Sequence, residues 1–263
     1  MIPQAFITEW SNVVPWQNNA QVEQDLIICR ALVEIFSNPF LKTKVAFRGG
    51  TALHKLYLSP QPRYSEDIDL VQVDEEPIGE VLTALRKALS FLGKPKLEMG
   101  NMMVTLRYGF ETEFQPIQKL KLKIETNCRE HFTIMGWQQK EFSIENSWFS
   151  GGCKITTYSI EELLGTKLRA MYQRRKGRDL FDIWKAFEDA KPNTKNIIEC
   201  YKKYMAASLN KPIPTQKEYK LNLEAKKTDN EFAGDIVAII NPTLLYNADW
   251  AFDVMEKELL PLM

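Results

Sequence analysis

Histidine and cysteine are scarce in this 263-residue chain, which contains two histidines and four cysteines. The cysteines occupy positions 29, 128, 153 and 200, and no two of them form a C-x-x-C pair. This scarcity argues against a disulfide framework, a cysteine-rich zinc site and a metal site built from histidines. We expect the cysteines to be reduced, buried thiols.

The sequence also lacks long apolar segments and an excess of charge of one sign. No run approaches the ~18 apolar residues of a membrane span, and the N-terminus has no basic segment followed by an apolar core. The 34 basic and 34 acidic residues cancel. Any contact with nucleic acid therefore needs a local basic patch. We expect a cytoplasmic protein that makes no membrane contact.

The apolar pattern predicts an α+β fold with two domains. In residues 1–158 we predict a mixed sheet with flanking helices, and in residues 159–263 a helical domain. Strands are predicted near 44–47, 65–73, 102–108 and 118–126, and helices within 1–44 and over 77–92. In the second half, a capping box of Ser159 and Glu162 predicts the start of a helix through Tyr172. Further helices are predicted over 178–190, 194–208 and 247–260, with a polar, mobile connector over 210–230.

The most informative segment is FRGGTALHKLYLSPQPRYSEDIDLV, residues 47–71. Gly49 and Gly50 separate a short strand from a helix for which Thr51 is the predicted N-cap. Backbone amides in a Gly-Gly turn can approach a phosphate closely, and the helix N-terminus adds a favourable field. Such a turn alone is a weak signal, because most are only turns.

Two aspartates follow on a predicted strand. Asp67 and Asp69 are two residues apart, so both carboxylates lie on the same face. Mg²⁺ would relieve their repulsion and shares its ligand shell with substrate phosphates; two such ions can clamp a displacement at phosphorus. An isolated D-x-D pair is more often a solvated strand face, but the preceding glycine turn favours a metal site. Glu125 is a candidate third ligand, and a charge pair with Lys121 or Lys123 accounts for it equally well.

Four blocks in this order, GGTALHKLY, RYSEDIDL, LKIETN and TKLRAMYQRRKGRDLFDIW, resemble the AbiEii family of nucleotidyltransferase-like toxins over roughly residues 44–190. This family of bacterial toxin–antitoxin and abortive-infection systems belongs to the polymerase-β-like nucleotidyltransferase superfamily. The resemblance implies a nucleotidyltransferase-type sheet and Mg²⁺-dependent transfer of NMP from an NTP to an acceptor. It further implies a tRNA 3′ end as the acceptor, growth arrest as the outcome and a cognate antitoxin.

The resemblance also assigns roles to residues. The implied catalytic residues are Asp67, Asp69, Lys167, Asp179 and Asp182. The implied nucleotide-binding residues are Gly49, Gly50, Thr51, Ser65 and Arg178. The implied metal ligands are Asp67, Asp69 and Glu125. Lys167 would steady phosphate charge, although a solvated helix position is the commoner explanation of a lone lysine.

The acidic residues of the R-D-x-x-D block, Asp179 and Asp182, can share a helix face. One of them could be a general base, or either could anchor Arg178 or Lys167. Ser65 matches a position that is phosphorylated in some relatives, where a dianion would repel the metal carboxylates. A strand-opening hydroxyl that bonds locally is the simpler interpretation of Ser65.

Two features depart from the family pattern. Sixteen residues, Thr51 to Glu66, separate Gly50 from Asp67, and the prolines among them indicate an insertion. Gly50 also replaces a serine that many superfamily enzymes use as a phosphate ligand, so backbone amides must carry more of the binding.

The basic residues between Arg169 and Arg178, with Tyr172 among them, are either an RNA-binding patch or solvated surface. Two rival functions also stay open. One is nucleotide transfer to a protein or to a small molecule such as an aminoglycoside. The other is a non-catalytic nucleotide-binding module.

Overall fold

The computed structural model describes residues 2–208 and 212–263. These residues form two compact units. The first contains the chain up to Leu56, Tyr64–Phe132 and Trp137–Thr157. The second contains Tyr57–Arg63, Thr133–Gly136 and the chain from Tyr158 onward. Each predicted domain was one continuous segment, whereas two short segments of the N-terminal half belong to the second unit.

The described strands all lie in the first unit and form one mixed sheet. They are β1 (Val45–Arg48), β2 (Asp67–Gln72), β3 (Lys96–Met99), β4 (Met103–Glu111), β5 (Lys119–Asn127), β6 (Gln138–Ile144) and β7 (Gly151–Thr157). The order across the sheet is β3-β4-β5-β2-β1-β7-β6. β1 is parallel to β7 and β2 is parallel to β5, while the other neighbours are antiparallel.

The helices of the first unit are α1 (Gln4–Ser11), α2 (Asn19–Ser37), α3 (Leu41–Lys44), α4 (Gly49–Leu56) and α5 (Gly79–Ala88), with a 3₁₀ turn over Ser90–Leu92. α2 is buried along most of its length and packs against β5, β6 and β7. One sheet face is apolar: Ile68, Leu122 and Ile124 are fully buried. Because side chains alternate along a strand, Asp67, Asp69 and Glu125 lie on the opposite face.

The second unit is helical. Its helices are α6 (Ile160–Gln173), α7 (Gly177–Ala190), α8 (Thr194–Ser208), α9 (Gln216–Lys227), α10 (Asn230–Gly234) and α11 (Ala248–Val254), followed by a π-helical turn over Met255–Leu259 and a 3₁₀ turn over Leu260–Leu262. α6 packs against both α7 and α8. Among the described residues, no helix is both long enough and apolar enough to cross a membrane.

The predicted α+β class is confirmed, and several local predictions need correction. The mobile connector predicted over 210–230 is wrong for residues 216–227, which form α9 behind a capping box of Thr215 and Glu218; residues 210 and 211 lie outside the described part. Thr51 is not an N-cap, because α4 already begins at Gly49. β3, β6 and β7 were not predicted, since their side chains are mostly exposed or half-buried and show no apolar period.

The predicted capping box at α6 is only half formed. The Ser159 hydroxyl accepts a hydrogen bond from the Glu162 amide at 3.2 Å, as expected for an N-cap. The Glu162 carboxylate binds elsewhere in the second unit: it accepts from the Thr133 hydroxyl (2.7 Å), the Ile134 amide (2.8 Å) and the Tyr204 hydroxyl (2.7 Å). Glu162 is fully buried, so these bonds fix residues 133–136 to α6.

Candidate active site

The glycine turn and the aspartate strand are in direct contact. Arg48, the residue before the turn, is paired in register with Asp69 on β2. Gly49 has φ +78°, and a Cβ added there would lie 2.0 Å from Asp69 Oδ2. Only glycine fits, because a side chain is strained at this φ and would also displace the carboxylate. The missing side chain at Gly49 therefore leaves the space that the Asp69 carboxylate occupies.

A chain of hydroxyl groups joins the start of α4 to the start of β2. The Thr51 hydroxyl donates to the Asp67 carbonyl at 2.5 Å and lies 2.7 Å from the Ser65 hydroxyl. A hydroxyl has one hydrogen, so Ser65 donates to Thr51. Thr51 is buried, and its side chain holds the start of β2 against the start of α4.

The three predicted metal carboxylates occupy adjacent strands. Asp69 is paired in register with Glu125 on β5, and Asp67 with Lys123. Lys123 Nζ lies 3.6 Å from Asp67 Oδ2, and Asp67 Oδ1 is buried without a hydrogen-bond partner among the described residues. Burial raises the pKa of Glu125, and the charges of Asp69 and Asp67 raise it further. The group is therefore electrostatically strained, and a cation would relieve it.

These residues fit a divalent metal ion as a pair. In residues 2–208 and 212–263, no group of three or more histidine, cysteine, aspartate or glutamate residues is arranged so that it could bind a metal ion. Mg²⁺ is usually held by one or two carboxylates, with waters and substrate phosphates completing its shell. The buried oxygen of Asp67 and the Asp69 carboxylate that lies against Gly49 match that requirement. Glu125 as a third ligand stays a prediction.

Arg48, which is paired in register with Asp69, donates a hydrogen bond from its guanidinium to Glu130 Oε2 at 2.6 Å. The loop after β5 presents Glu130 to this contact, since Asn127 Oδ1 accepts the backbone amides of Arg129 and Glu130. No motif in the sequence predicts this ion pair. Its only local signal was the asparagine, which commonly closes a turn of this kind.

In the helical unit, Lys167, Asp179 and Asp182 form a buried ionic cluster. Lys167 Nζ lies 2.7 Å from Asp182 Oδ2 and 3.1 Å from Asp179 Oδ1. Both carboxylates are fully buried, and the lysine side chain is 8% exposed. The structure thus brings together three of the residues that the resemblance singled out.

Two arginines complete the cluster. Arg63, which directly follows Pro62, makes two hydrogen bonds to Asp182 of 2.6 and 2.8 Å. Arg174 makes two to Asp179 of 2.7 and 2.8 Å. Burial raises the pKa of Asp179, but Lys167 and Arg174 outweigh burial and hold that pKa below its usual value. Arg63 lies 119 residues from its partner, and no pattern in the sequence links the two.

The other basic residues between Arg169 and Arg178 also have acidic partners within the helical unit. Arg175 lies 3.3 Å from Asp229, and Lys176 lies 3.4 Å from Asp235. Arg178, a predicted nucleotide ligand, lies 3.7 Å from the same Asp235. Tyr172 stacks on another ring, Tyr219, at 5.4 Å. Arg169 contacts the carbonyl and the ring of Tyr204. The ion pairs of the other basic residues reduce the positive charge that this segment offers to an RNA backbone.

Residues 30–256 match the family described as "Nucleotidyl transferase AbiEii toxin, Type IV TA system". The chain belongs to this family. It is accordingly a nucleotidyltransferase toxin of the type IV toxin–antitoxin class, and membership implies an NTP substrate and an antitoxin. No curated protein sequence matches this AbiEii-family chain.

Solved structures share the fold at low sequence identity. MenT4, a nucleotidyltransferase toxin from Mycobacterium tuberculosis H37Rv, superposes with a TM-score of 0.69 at 14% identity, over 99% of this chain and 89% of that one. A protein from H. pylori, provisionally assigned as a nucleotidyltransferase, gives a TM-score of 0.54 at 16% identity, over 94% of this chain and 99% of that one. These likenesses concern the fold.

Proposed function

We propose that this AbiEii-family enzyme transfers NMP from an NTP to the 3′ end of a tRNA in the cytoplasm, in a Mg²⁺-dependent reaction. The observation that carries the proposal is the contact between the Gly49 turn and Asp69, beside an Asp67 oxygen that is buried without a partner. A phosphate-binding turn and a pair of metal-binding carboxylates are the parts that nucleotide transfer requires.

In the proposed reaction, the terminal hydroxyl oxygen of the acceptor forms a bond to the α-phosphorus of the NTP. The bond from that phosphorus to the bridging oxygen breaks, pyrophosphate leaves, and the hydroxyl proton passes to solvent. The amides of Gly49 and Gly50 would hold the phosphates, and Asp67 and Asp69 would hold Mg²⁺. The bound ion supplies neutralisation of phosphate charge. The chain contributes chiefly by positioning the reactants.

The buried cluster bears on the roles of Asp179 and Asp182. A general base needs a lone pair within reach of the proton it removes. Both carboxylates are fully buried and bind cations on each side. We therefore assign Asp179 and Asp182 to anchoring Lys167, and we keep Lys167 as the candidate that steadies phosphate charge.

The test is transfer of each α-labelled NTP to total RNA, to total protein and to aminoglycosides, with and without Mg²⁺. We expect label in the tRNA fraction only when Mg²⁺ is present. Asp69→Asn should lower the rate roughly 10²–10³-fold, because stabilisation by a bound metal is worth several kcal/mol. Asp253→Asn, an exposed aspartate paired with Lys257, is the matched control. Label in protein alone would sink the tRNA proposal, and full activity of Asp69→Asn would sink the assigned site.

A further inference from the structure

A row of lysines runs along β5 toward the candidate active site. Lys119, Lys121 and Lys123 alternate with the apolar residues of the strand, so they share the face that carries Glu125. Successive lysines are about 7 Å apart along the strand. Lys123 is paired in register with Asp67, and Glu125 with Asp69. The row therefore ends at the metal carboxylates.

The outer two lysines are exposed and electrostatically uncompensated. Among the described residues, no carboxylate lies within ion-pair distance of Lys119 or Lys121. Glu111 stands opposite Lys119 in register without pairing with it. On β4, Arg107 stands opposite Lys123 and is bound by Glu98 at 2.8 Å. The positive charge available on this face is thus concentrated at Lys119 and Lys121.

This row differs from the basic segment between Arg169 and Arg178. There, the basic residues of the loop between α6 and α7 have carboxylate partners. The whole chain has no net charge, so the two adjacent lysines at the outer end of the row, Lys119 and Lys121, are a local concentration of positive charge. A strand also holds its side chains at fixed spacing and direction, which suits a ligand with regularly repeated anionic groups.

We propose that the β5 lysine row binds the phosphodiester backbone of the acceptor RNA, as a single strand whose 3′ end is directed to Asp67 and Asp69. This inference rests on the proposed nucleotide transfer and adds the surface that receives the acceptor. Lysine contacts to phosphate carry no base specificity. The row therefore supplies affinity and direction, while selection of one RNA belongs to other groups.

The experiment compares wild type with the double variant Lys119→Gln/Lys121→Gln. The matched control is Lys195→Gln/Lys203→Gln, which removes two exposed lysines of α8. Binding of a fluorescein-labelled single-stranded oligouridylate is measured over a range of salt concentrations. Each lost phosphate contact on a single strand should reduce the slope of log K against log[salt] by about 0.7, so the β5 variant should lose about 1.4. The α8 control should keep the wild-type slope.

Kinetics separate this inference from the proposed function. If the row binds the acceptor, the β5 variant should show a raised KM for RNA and an unchanged KM for NTP. A raised KM for NTP with unchanged RNA binding would overturn the inference, because the lysines would then bind the triphosphate. An unchanged salt slope in the β5 variant would also overturn it. In both cases the proposed function stands if nucleotide transfer still depends on Asp69. Absence of transfer by the wild-type protein would refute the proposed function, whatever the lysines do.

Discussion

The carboxylates of the sheet and those of the helical unit are the same residue types in opposite electrostatic situations. In the helical unit, Asp179 and Asp182 are fully buried, and each is bound by cations on two sides. On the sheet, Asp67 keeps a buried oxygen without a partner and Glu125 has a raised pKa. The sheet carboxylates lie on adjacent strands, and Lys123 lies 3.6 Å from Asp67.

A structural carboxylate and a carboxylate that is available to a ligand differ in how fully their charge is paired. A buried charge is tolerated only when it is paired and hydrogen-bonded, and the helical cluster meets that condition by itself. On the sheet, Asp67 has an ion pair with Lys123 but keeps one buried oxygen without a hydrogen-bond partner among the described residues, which a bound cation would compensate. Residue type and sequence motif do not distinguish the two cases, because D-x-D and R-D-x-x-D are both acidic motifs of this family.

The largest expected effect comes from breaking the compensated cluster. Asp182→Asn leaves Arg63 and Lys167 buried with one carboxylate fewer. We expect a loss of about 3–5 kcal/mol in the free energy of unfolding, as for other broken buried ion pairs. Urea denaturation measures it. The control Asp189→Asn removes a surface partner of Lys185 and should cost less than about 1 kcal/mol; equal costs for the two variants would contradict the anchoring role.

Glu23 provides a third case, a buried carboxylate with no cationic side chain as an ion-pair partner among the described residues. Its side chain is fully buried, Oε1 lacks a partner among the described residues, and burial raises its pKa to about 7. A raised pKa means that folding favours the protonated form, so stability is lost as pH rises from about 4.5 to about 7. Glu23→Gln should recover up to about 3 kcal/mol above pH 7.

This gain should vanish below the ordinary pKa of 4.5, where Glu23 is protonated in both folded and unfolded states. Urea denaturation of wild type and variant at both ends of this range gives the measurement. A gain that does not vary with pH would show that the amide improves packing and that charge is irrelevant.

A substitution at Gly49 can disrupt its close contact with the Asp69 carboxylate directly. Gly49→Ala places a methyl group on Asp69 Oδ2 and forces alanine to φ +78°, which should cost about 1–3 kcal/mol and abolish nucleotide transfer. Gly79→Ala is the control, since its added Cβ meets no atom within 4 Å and its φ is not positive; stability should rise by up to about 1 kcal/mol. Thermal unfolding and the transfer assay should separate the two, and wild-type transfer by Gly49→Ala would remove the turn from the site.

We expect the smallest change in stability at Glu125. Glu125→Gln removes a charge that burial disfavours and that the neighbouring Asp69 and Asp67 repel, as the raised pKa of Glu125 indicates. Without Mg²⁺ we expect stability to change by less than about 1 kcal/mol and to increase, in contrast to Asp182→Asn. Added Mg²⁺ should raise the thermal midpoint of wild type more than that of the variant. A clear loss of stability without Mg²⁺ would mean that Glu125 is a structural partner.

Local patterns predicted the parts of the site that depend on short segments. The strand–turn–helix around Gly49 and the shared face of Asp67 and Asp69 follow from conformational preferences and from the alternation of a strand. β5 and its lysines were predictable for the same reason. β6 and β7 were not, because their side chains are mostly exposed or half-buried and carry no apolar period.

The amino-acid sequence by itself determined the family, the α+β class and the glycine turn beside the aspartate pair, since these depend on neighbouring residues. The tertiary structure decided which charges are compensated. It paired Arg63 with Asp182 and the loop around Arg175 with carboxylates, and it left Lys119 and Lys121 without an ion-pair partner among the described residues. Ion pairing depends on distances across the fold, and residues far apart in sequence meet only after the chain has packed.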